Sequence, residues 1–261
     1  MAAAGTIVTD VSDGIARATL CNPARRNAIS TAMWRAIADF ADEIDARHDV
    51  RAMVVRGEGQ AFSGGADITD FSSARVDAET GRGYDDLVEA TCRRVESIGV
   101  PTVAVIAGPC VGAGASLAAS CDLRVAAAGA FFAVPAAKLG LGYDSRGIAR
   151  FIRIFGQGAT RQLLLTADRL PAERAYGIGA VHTLADDAEL DAGAMRLVAR
   201  LVANAPLTIR AGKMAIRALG GADPSLMEAA NRLAAVADDS ADYAEGRAAF
   251  AERRRPRFTG R

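Results

Sequence analysis

"GPCVGAGASLAASCD", Gly108 to Asp122, is the stretch whose reading decides the fold. It follows the apolar run "VPTVAVIA", Val100 to Ala107, so a buried strand is expected to enter a glycine-punctuated turn and then a helix of small residues. Before the closing aspartate, its only side chains with obvious chemistry are Cys110, Ser116 and Cys121. A turn of this kind can cradle a phosphate, carry a nucleophilic serine, or aim backbone amides at a reacting carbonyl.

The first two uses match poorly. A dinucleotide fingerprint needs G-x-G-x-x-G, and Gly112 and Gly114 are followed by Leu117 where the third glycine belongs. No phosphate-loop lysine follows Gly114 either. "GASLA", Gly114 to Ala118, is one residue away from a serine elbow, and Asp144 or Asp168 and then His182 follow in the acid-then-histidine order. An elbow, however, needs the strand to run straight into the serine, and "GPCVG" intervenes. Ser116 then reads equally as a small residue packed on a tight helix.

The third use is coherent. A glycine-rich turn opening a helix presents unpaired N–H groups at the positive end of the helix dipole. A second such turn, "FSGGAD" (Phe62 to Asp67), also leads from a strand region toward a helix. Two amides from two helix starts can bracket one carbonyl oxygen, and each such donor is worth roughly 2.7–4 kcal/mol to a transition state. Small side chains leave a flat acyl group access to the backbone.

Taken together with "NPARRNAIS", "VRAMVVRGEGQAFSGGADI", "FFAVPAAKLGLG", "LLLTADRLPAERAYGIGAVHTL" and "EGRAAFAERRRPRF", these stretches resemble the crotonase superfamily, the enoyl-CoA hydratase/isomerase family, over nearly the whole chain. The resemblance implies an α/β fold: a crotonase ββα-superhelix core over residues 1–200, with a C-terminal helical trimerisation subdomain over 201–261. It implies an acyl-CoA thioester substrate, coenzyme A as part of that substrate rather than a separate cofactor, and a homotrimer or a dimer of trimers. The oxyanion donors match Ala66 N–H and Ala113 N–H, the latter where glycine is usual. The coenzyme A segment matches Arg25, Arg26 and Ala28, with Asp67 and Ile68 near the adenine, and Arg253 matches a cation reaching the nucleotide from a neighbouring subunit. For Arg25, Arg26 and Arg253 the alternative is solvated surface charge.

The chain departs from the hydratases at the two positions of their catalytic glutamates, which are Ser116 and Ala136 here. Neither can exchange a proton as a carboxylate does, and general acid–base catalysis supplies roughly 10²–10⁴-fold. Asp144 and Tyr143, in "LGLGYDSRG", match the aspartate of dienoyl-CoA isomerases and chlorobenzoyl-CoA dehalogenases and the tyrosine of methylmalonyl-CoA decarboxylases. Asp144 is the expected acid/base and Tyr143 a hydrogen-bond donor to substrate. The alternative for Asp144 is a cap on the helix starting near "SRGIARF", or a partner of Arg146 or Arg150. Malonyl-type decarboxylation, dienoyl isomerisation and acyl-CoA binding without turnover stay open as alternatives.

Composition sets the remaining bounds. Lys plus Arg and Asp plus Glu are 31 each in 261 residues, so no global field points to nucleic acid or an anionic membrane. "MAAAGTIVTDVSDG" lacks the pattern of a signal peptide, and Pro101, Gly108 and Pro109 interrupt the longest apolar run, so a cytoplasmic chain is expected. Cys21, Cys92, Cys110 and Cys121 show no metal-ligand spacing, and with two histidines no metal site is expected. His182 and Lys138 read as structural.

Elsewhere, "TIVTDVSDGIARATLC" reads as a hairpin, and Ser30 as the cap of a helix carrying Met33, Ile37, Phe40 and Ile44. Phe71 to Gly83 reads as a surface loop, helices dominate from about Gly156, and the tail as a basic amphipathic helix stopped at Pro256.

Overall fold

The computed structural model describes residues 5–71, 75–221 and 223–261. Strands β1 (Thr6–Ser12) and β2 (Ile15–Cys21) form the expected antiparallel hairpin across Asp13-Gly14. From β2 the sheet continues in parallel through β3 (Ala52–Gly57), β4 (Thr102–Ile106), β6 (Leu123–Ala127) and β9 (Thr183–Ala185). Parallel strands need crossovers that cover both faces, which is why β3 and β4 read as almost unbroken apolar runs. Met53, Val54, Val55 and Val103 to Ile106 are all buried.

Two long helices supply most of the cover. The Thr31–Asp45 helix starts where Ser30 Oγ accepts the Met33 N–H at 3.2 Å, and it buries Met33, Trp34, Ile37, Phe40 and Ile44. The Ala78–Ser97 helix starts on an Asp77/Thr80 capping box. Its first residues, Ala78 to Gly83, are therefore helical rather than part of the expected surface loop; residues 72–74 of that stretch lie outside the described residues. A small second sheet, ordered β5–β7–β8, joins Pro109–Val111, Phe131–Ala133 and Leu170–Pro171 beside the large one.

Two further expectations are corrected. The change to helices comes earlier, at the Ser145–Arg161 helix, which kinks at Gly156, and it is interrupted by the short strands β8 and β9. The last helix, Ala241–Ala251, ends five residues before Pro256, and its Phe250 is 88% exposed. The tail then folds back. Arg51 Nη2 donates to Phe258 O, and the Asp242 carboxylate accepts the Thr259 and Gly260 N–H groups at 2.6 and 2.8 Å. The Leu190–Ala203 helix packs on the sheet through Leu190, Ala194 and Val198, whereas Pro206–Gly221 and Pro224–Asp238 pack chiefly on each other.

Candidate active site

Two chain segments run side by side into the site. Ser63 and Cys110 form a parallel bridge: Ser63 N–H donates to Pro109 O at 3.0 Å, and Val111 N–H to Ser63 O at 2.9 Å. Because the segments are in register, the amides three residues further on, those of Ala66 and Ala113, emerge together into one cavity. Neither N–H has an acceptor among the described residues. Gly112, the residue before the Ala113–Ser120 helix, turns the chain with φ 49° and ψ −111°, a conformation open to glycine. Gly114 is required by contact instead: a Cβ there would sit 2.5 Å from Ser63 Cβ. The expectation of two helix starts holds for Ala113 alone, since Ala66 leads only into the single turn Ile68–Asp70, which Asp67 caps.

The other end of the Ala113–Ser120 helix is held by Arg124, 2% exposed. Its guanidinium donates to Cys121 O at 2.7 Å, Ala118 O at 3.2 Å and Ala180 O at 2.6 Å. A cation on carbonyls at a helix C-terminus opposes the dipole there and fixes the helix axially. His182 Nδ1 accepts the Arg124 N–H at 3.1 Å; burial first, and then the Arg124 charge, lower its pKa, so it is a neutral acceptor at the edge of the sheet.

The cavity, about 160 Å³, is lined by Gly64 to Ala66, Val111 to Ala113, Ser116, Ala136, Tyr143 and Asp144, among others. Ser116 Oγ and Tyr143 Oη lie 2.9 Å apart, and the Tyr143 ring packs against Phe151. Burial pushes the Tyr143 hydroxyl well above the ordinary phenol, so it stays protonated. Asp144 caps the Ser145–Arg161 helix through the Arg146 N–H at 2.7 Å and pairs with the Arg146 guanidinium, which also reaches Asp86 at 2.8 Å. The Arg146 hydrogen bonds, opposed by partial burial, hold the Asp144 carboxyl below the usual range. Asp144 is thus both a cap and an ionised wall residue.

Among the residues expected to bind coenzyme A, Arg25 holds Asp67 with one nitrogen, 2.9 and 2.8 Å from its two oxygens. Burial raises the Asp67 pKa, but Thr69 and Arg25 outweigh it, and the carboxyl stays below its ordinary value. Ile68 is exposed and lines the cavity; Ala28 is buried, and its neighbour Ile29 bonds Gly65 O at 2.8 Å. Arg25 and Arg26 line an adjoining groove with Gly64, Pro135, Lys138 and Arg169. Lys138 Nζ donates to Ala167 O at 3.0 Å. Arg253 lines neither the cavity nor this groove, so a single chain does not bring it to the others.

Sequence reasoning missed one wall of the cavity. Arg75, Tyr84, Asp85, Glu89 and Arg150 line it, four of them buried or half-buried side chains from helices whose polar residues look like solvated faces in the sequence. The available signal was the i, i+1, i+4, i+5 spacing of Tyr84, Asp85, Val88 and Glu89 on one helix face.

Residues 10–261 match the family model described as Enoyl-CoA hydratase/isomerase, and the chain belongs to that family. It is similar to the "Probable enoyl-CoA hydratase echA6" of Mycobacterium leprae (strain TN), 32% identical over 95% of this chain and 97% of that protein. It is also similar to the mitochondrial Delta(3,5)-Delta(2,4)-dienoyl-CoA isomerase of Homo sapiens, 30% identical over 87% of this chain and 72% of that protein. Among solved structures, an enoyl-CoA hydratase/carnithine racemase from Magnetospirillum magneticum superposes with a TM-score of 0.91 at 33% identity, covering 98% and 96% of the two chains. The crotonase fold expected from the sequence is the one observed.

Proposed function

We propose that the protein binds an acyl-CoA thioester with its carbonyl oxygen between Ala66 N–H and Ala113 N–H, and that it stabilises the thioester enolate there. The observation that carries this reading is the pair of amides, in register and without acceptors, opening into one cavity. Negative charge on the oxygen gains from both donors and from the N-terminus of the Ala113–Ser120 helix. Coenzyme A would run along Arg25, Arg26, Ala28, Asp67 and Ile68, and Arg253 of a neighbouring copy would reach its nucleotide end. A homotrimer would cover apolar surface on the C-terminal helices, where Ile216, Leu219 and Val236 are exposed.

With Ser116 and Ala136 at the two glutamate positions, one carboxylate remains on this face of the cavity. Asp144, held ionised by Arg146, takes a proton from one acyl carbon and returns it to another, while Tyr143, backed by Ser116, donates a hydrogen bond to the substrate. A single proton shuttle suits double-bond isomerisation, the chemistry in the name of the dienoyl-CoA isomerase relative. A second reading is favoured by the engagement of Asp144 with Arg146: decarboxylation of a malonyl-type thioester generates the enolate by loss of CO2 and needs no base. Turnover of 2-enoyl, dienoyl and malonyl-type CoA esters separates the two. Tight binding of coenzyme A with no turnover of any ester would leave an acyl-CoA-binding protein.

A further inference from the structure

The wall of the cavity that the proton chemistry leaves unused is charged. Arg150, 2% exposed, donates through Nε to Glu96 Oε1 at 2.7 Å and through Nη2 to Glu89 Oε2 at 2.9 Å. Glu89, 7% exposed, is completed by Arg93 Nε on its other oxygen at 2.8 Å. Arg75 donates through Nη1 to Asp85, and its guanidinium lies 5.6 Å from the ring centroids of both Phe71 and Tyr84. Arg75, Asp85, Glu89 and Arg150 all line the same cavity as the Ala66 and Ala113 amides.

Buried ion pairs are a poor way to stabilise a fold, because desolvation offsets their attraction. A wall for a simple alkyl chain is better made of aliphatic side chains. What distinguishes this wall is unspent donor capacity. Each carboxylate has an arginine partner, while Arg150 Nη1 and Arg75 Nε and Nη2 have no acceptor among the described residues. A group that takes up those N–H donors accepts hydrogen bonds, as an oxygen of an acyl substituent does. It should also be neutral, since each guanidinium already has a carboxylate partner, Asp85 for Arg75 and Glu89 and Glu96 for Arg150.

We propose that this chamber selects an acyl group bearing a second, neutral oxygen acceptor, a ketone or hydroxyl several bonds from the thioester, bound by Arg150 and Arg75. The inference rests on the thioester reading above and names the substrate class for the same site. A site built to hydrogen-bond a polar group discriminates against the analogue that lacks it, because its own donors are then left unpaired.

Titration calorimetry of the full chain with coenzyme A, hexanoyl-CoA, 5-oxohexanoyl-CoA and glutaryl-CoA tests this. The oxo ester should bind roughly tenfold more tightly than hexanoyl-CoA. Arg150→Lys, which keeps the buried charge but loses the planar fork, and Arg75→Met, at a more accessible position, should each bring that ratio toward one while leaving coenzyme A affinity unchanged. If Arg150→Lys lowers the unfolding midpoint too far to assay, Arg75→Met carries the test. Equal binding of the oxo and hexanoyl esters overturns this inference alone. Tightest binding of glutaryl-CoA overturns the neutral-acceptor assignment, and a ratio unchanged in both variants overturns the residues named. Failure of every thioester to bind overturns the thioester reading, and this inference with it.

Discussion

The two ends of the cavity are built on different principles. One end consists of backbone: the Ala66 and Ala113 amides, delivered in register by the Ser63–Cys110 bridge. The other end consists of side chains, Ser116 against Tyr143, Asp144 on Arg146, and Glu89 on Arg150; Asp144, Arg146 and Arg150 belong to one helix and its cap, while Ser116 and Glu89 come from two other helices. An amide survives any substitution that preserves the turn, so alanine at position 113 keeps the donor. A side-chain group is removed by one substitution. A backbone donor and a side-chain group can therefore diverge independently within one fold.

Breaking the side-chain end should have the largest effect. Asp144→Asn retains a good helix cap, so the unfolding midpoint should hardly move, while turnover of the best thioester falls by about 10²–10⁴-fold and acyl-CoA affinity is kept. Unchanged turnover would reduce Asp144 to its cap. The same residue sets a pH expectation. Its folded pKa is depressed, so the carboxylate is ionised throughout the neutral range, and the stability it contributes is present above its unfolded pKa of about 3.9 and lost as pH falls through the lower folded value. A base-dependent rate should accordingly stay flat from neutrality down to about pH 5, measured as kcat against pH.

Breaking the backbone end should cost nearly as much. Gly114→Val pushes a side chain into Ser63 and displaces the Ala113 amide, and loss of one such donor costs about 10²–10³ in kcat. Circular dichroism and the oligomeric state would distinguish this from global unfolding. Tyr143→Phe keeps the ring on Phe151 and deletes the hydroxyl beside Ser116; about tenfold lower kcat with KM nearly unchanged is the expected split. Arg25→Ala should be the mildest, raising the Kd for coenzyme A a few-fold, because its side chain is 43% exposed and its ion pair with Asp67 is partly screened.

The sequence was most legible where one local rule acts alone. The β1–β2 hairpin follows from Ser-Asp-Gly between alternating strands, the Ser30 cap from a serine before an amphipathic run, and the strand and helix on either side of the Gly108 to Gly112 segment from its glycines, although Pro109–Val111 within the expected turn forms a strand of the second sheet. It was less legible where a short capping signal lies inside a polar stretch or where long-range contacts override local pattern. Phe71 to Gly83 is polar and unpatterned, yet helix begins at Ala78 because Asp77 and Thr80 form a box. The charged tail continues the pattern of a helix, yet its helix stops at Ala251 and the chain turns back onto Asp242 and Arg51. The charged wall was missed because Glu89, Glu96 and Arg150 are surface types by composition and become buried or half-buried only when two helices meet.

By itself, then, the sequence determined the class of fold and the backbone of the site. Glycines and small residues act through steric permission, which is local and can be read residue by residue. Only the tertiary structure decided what the polar side chains do. Asp144 proves to be a cap and a cavity wall at once, Ser116 gains Tyr143 as its partner, and a buried arginine, Arg150, lines the cavity. Those roles depend on which charges are desolvated together, and residues 61 apart, Glu89 and Arg150, acquire a common environment only when the chain has folded.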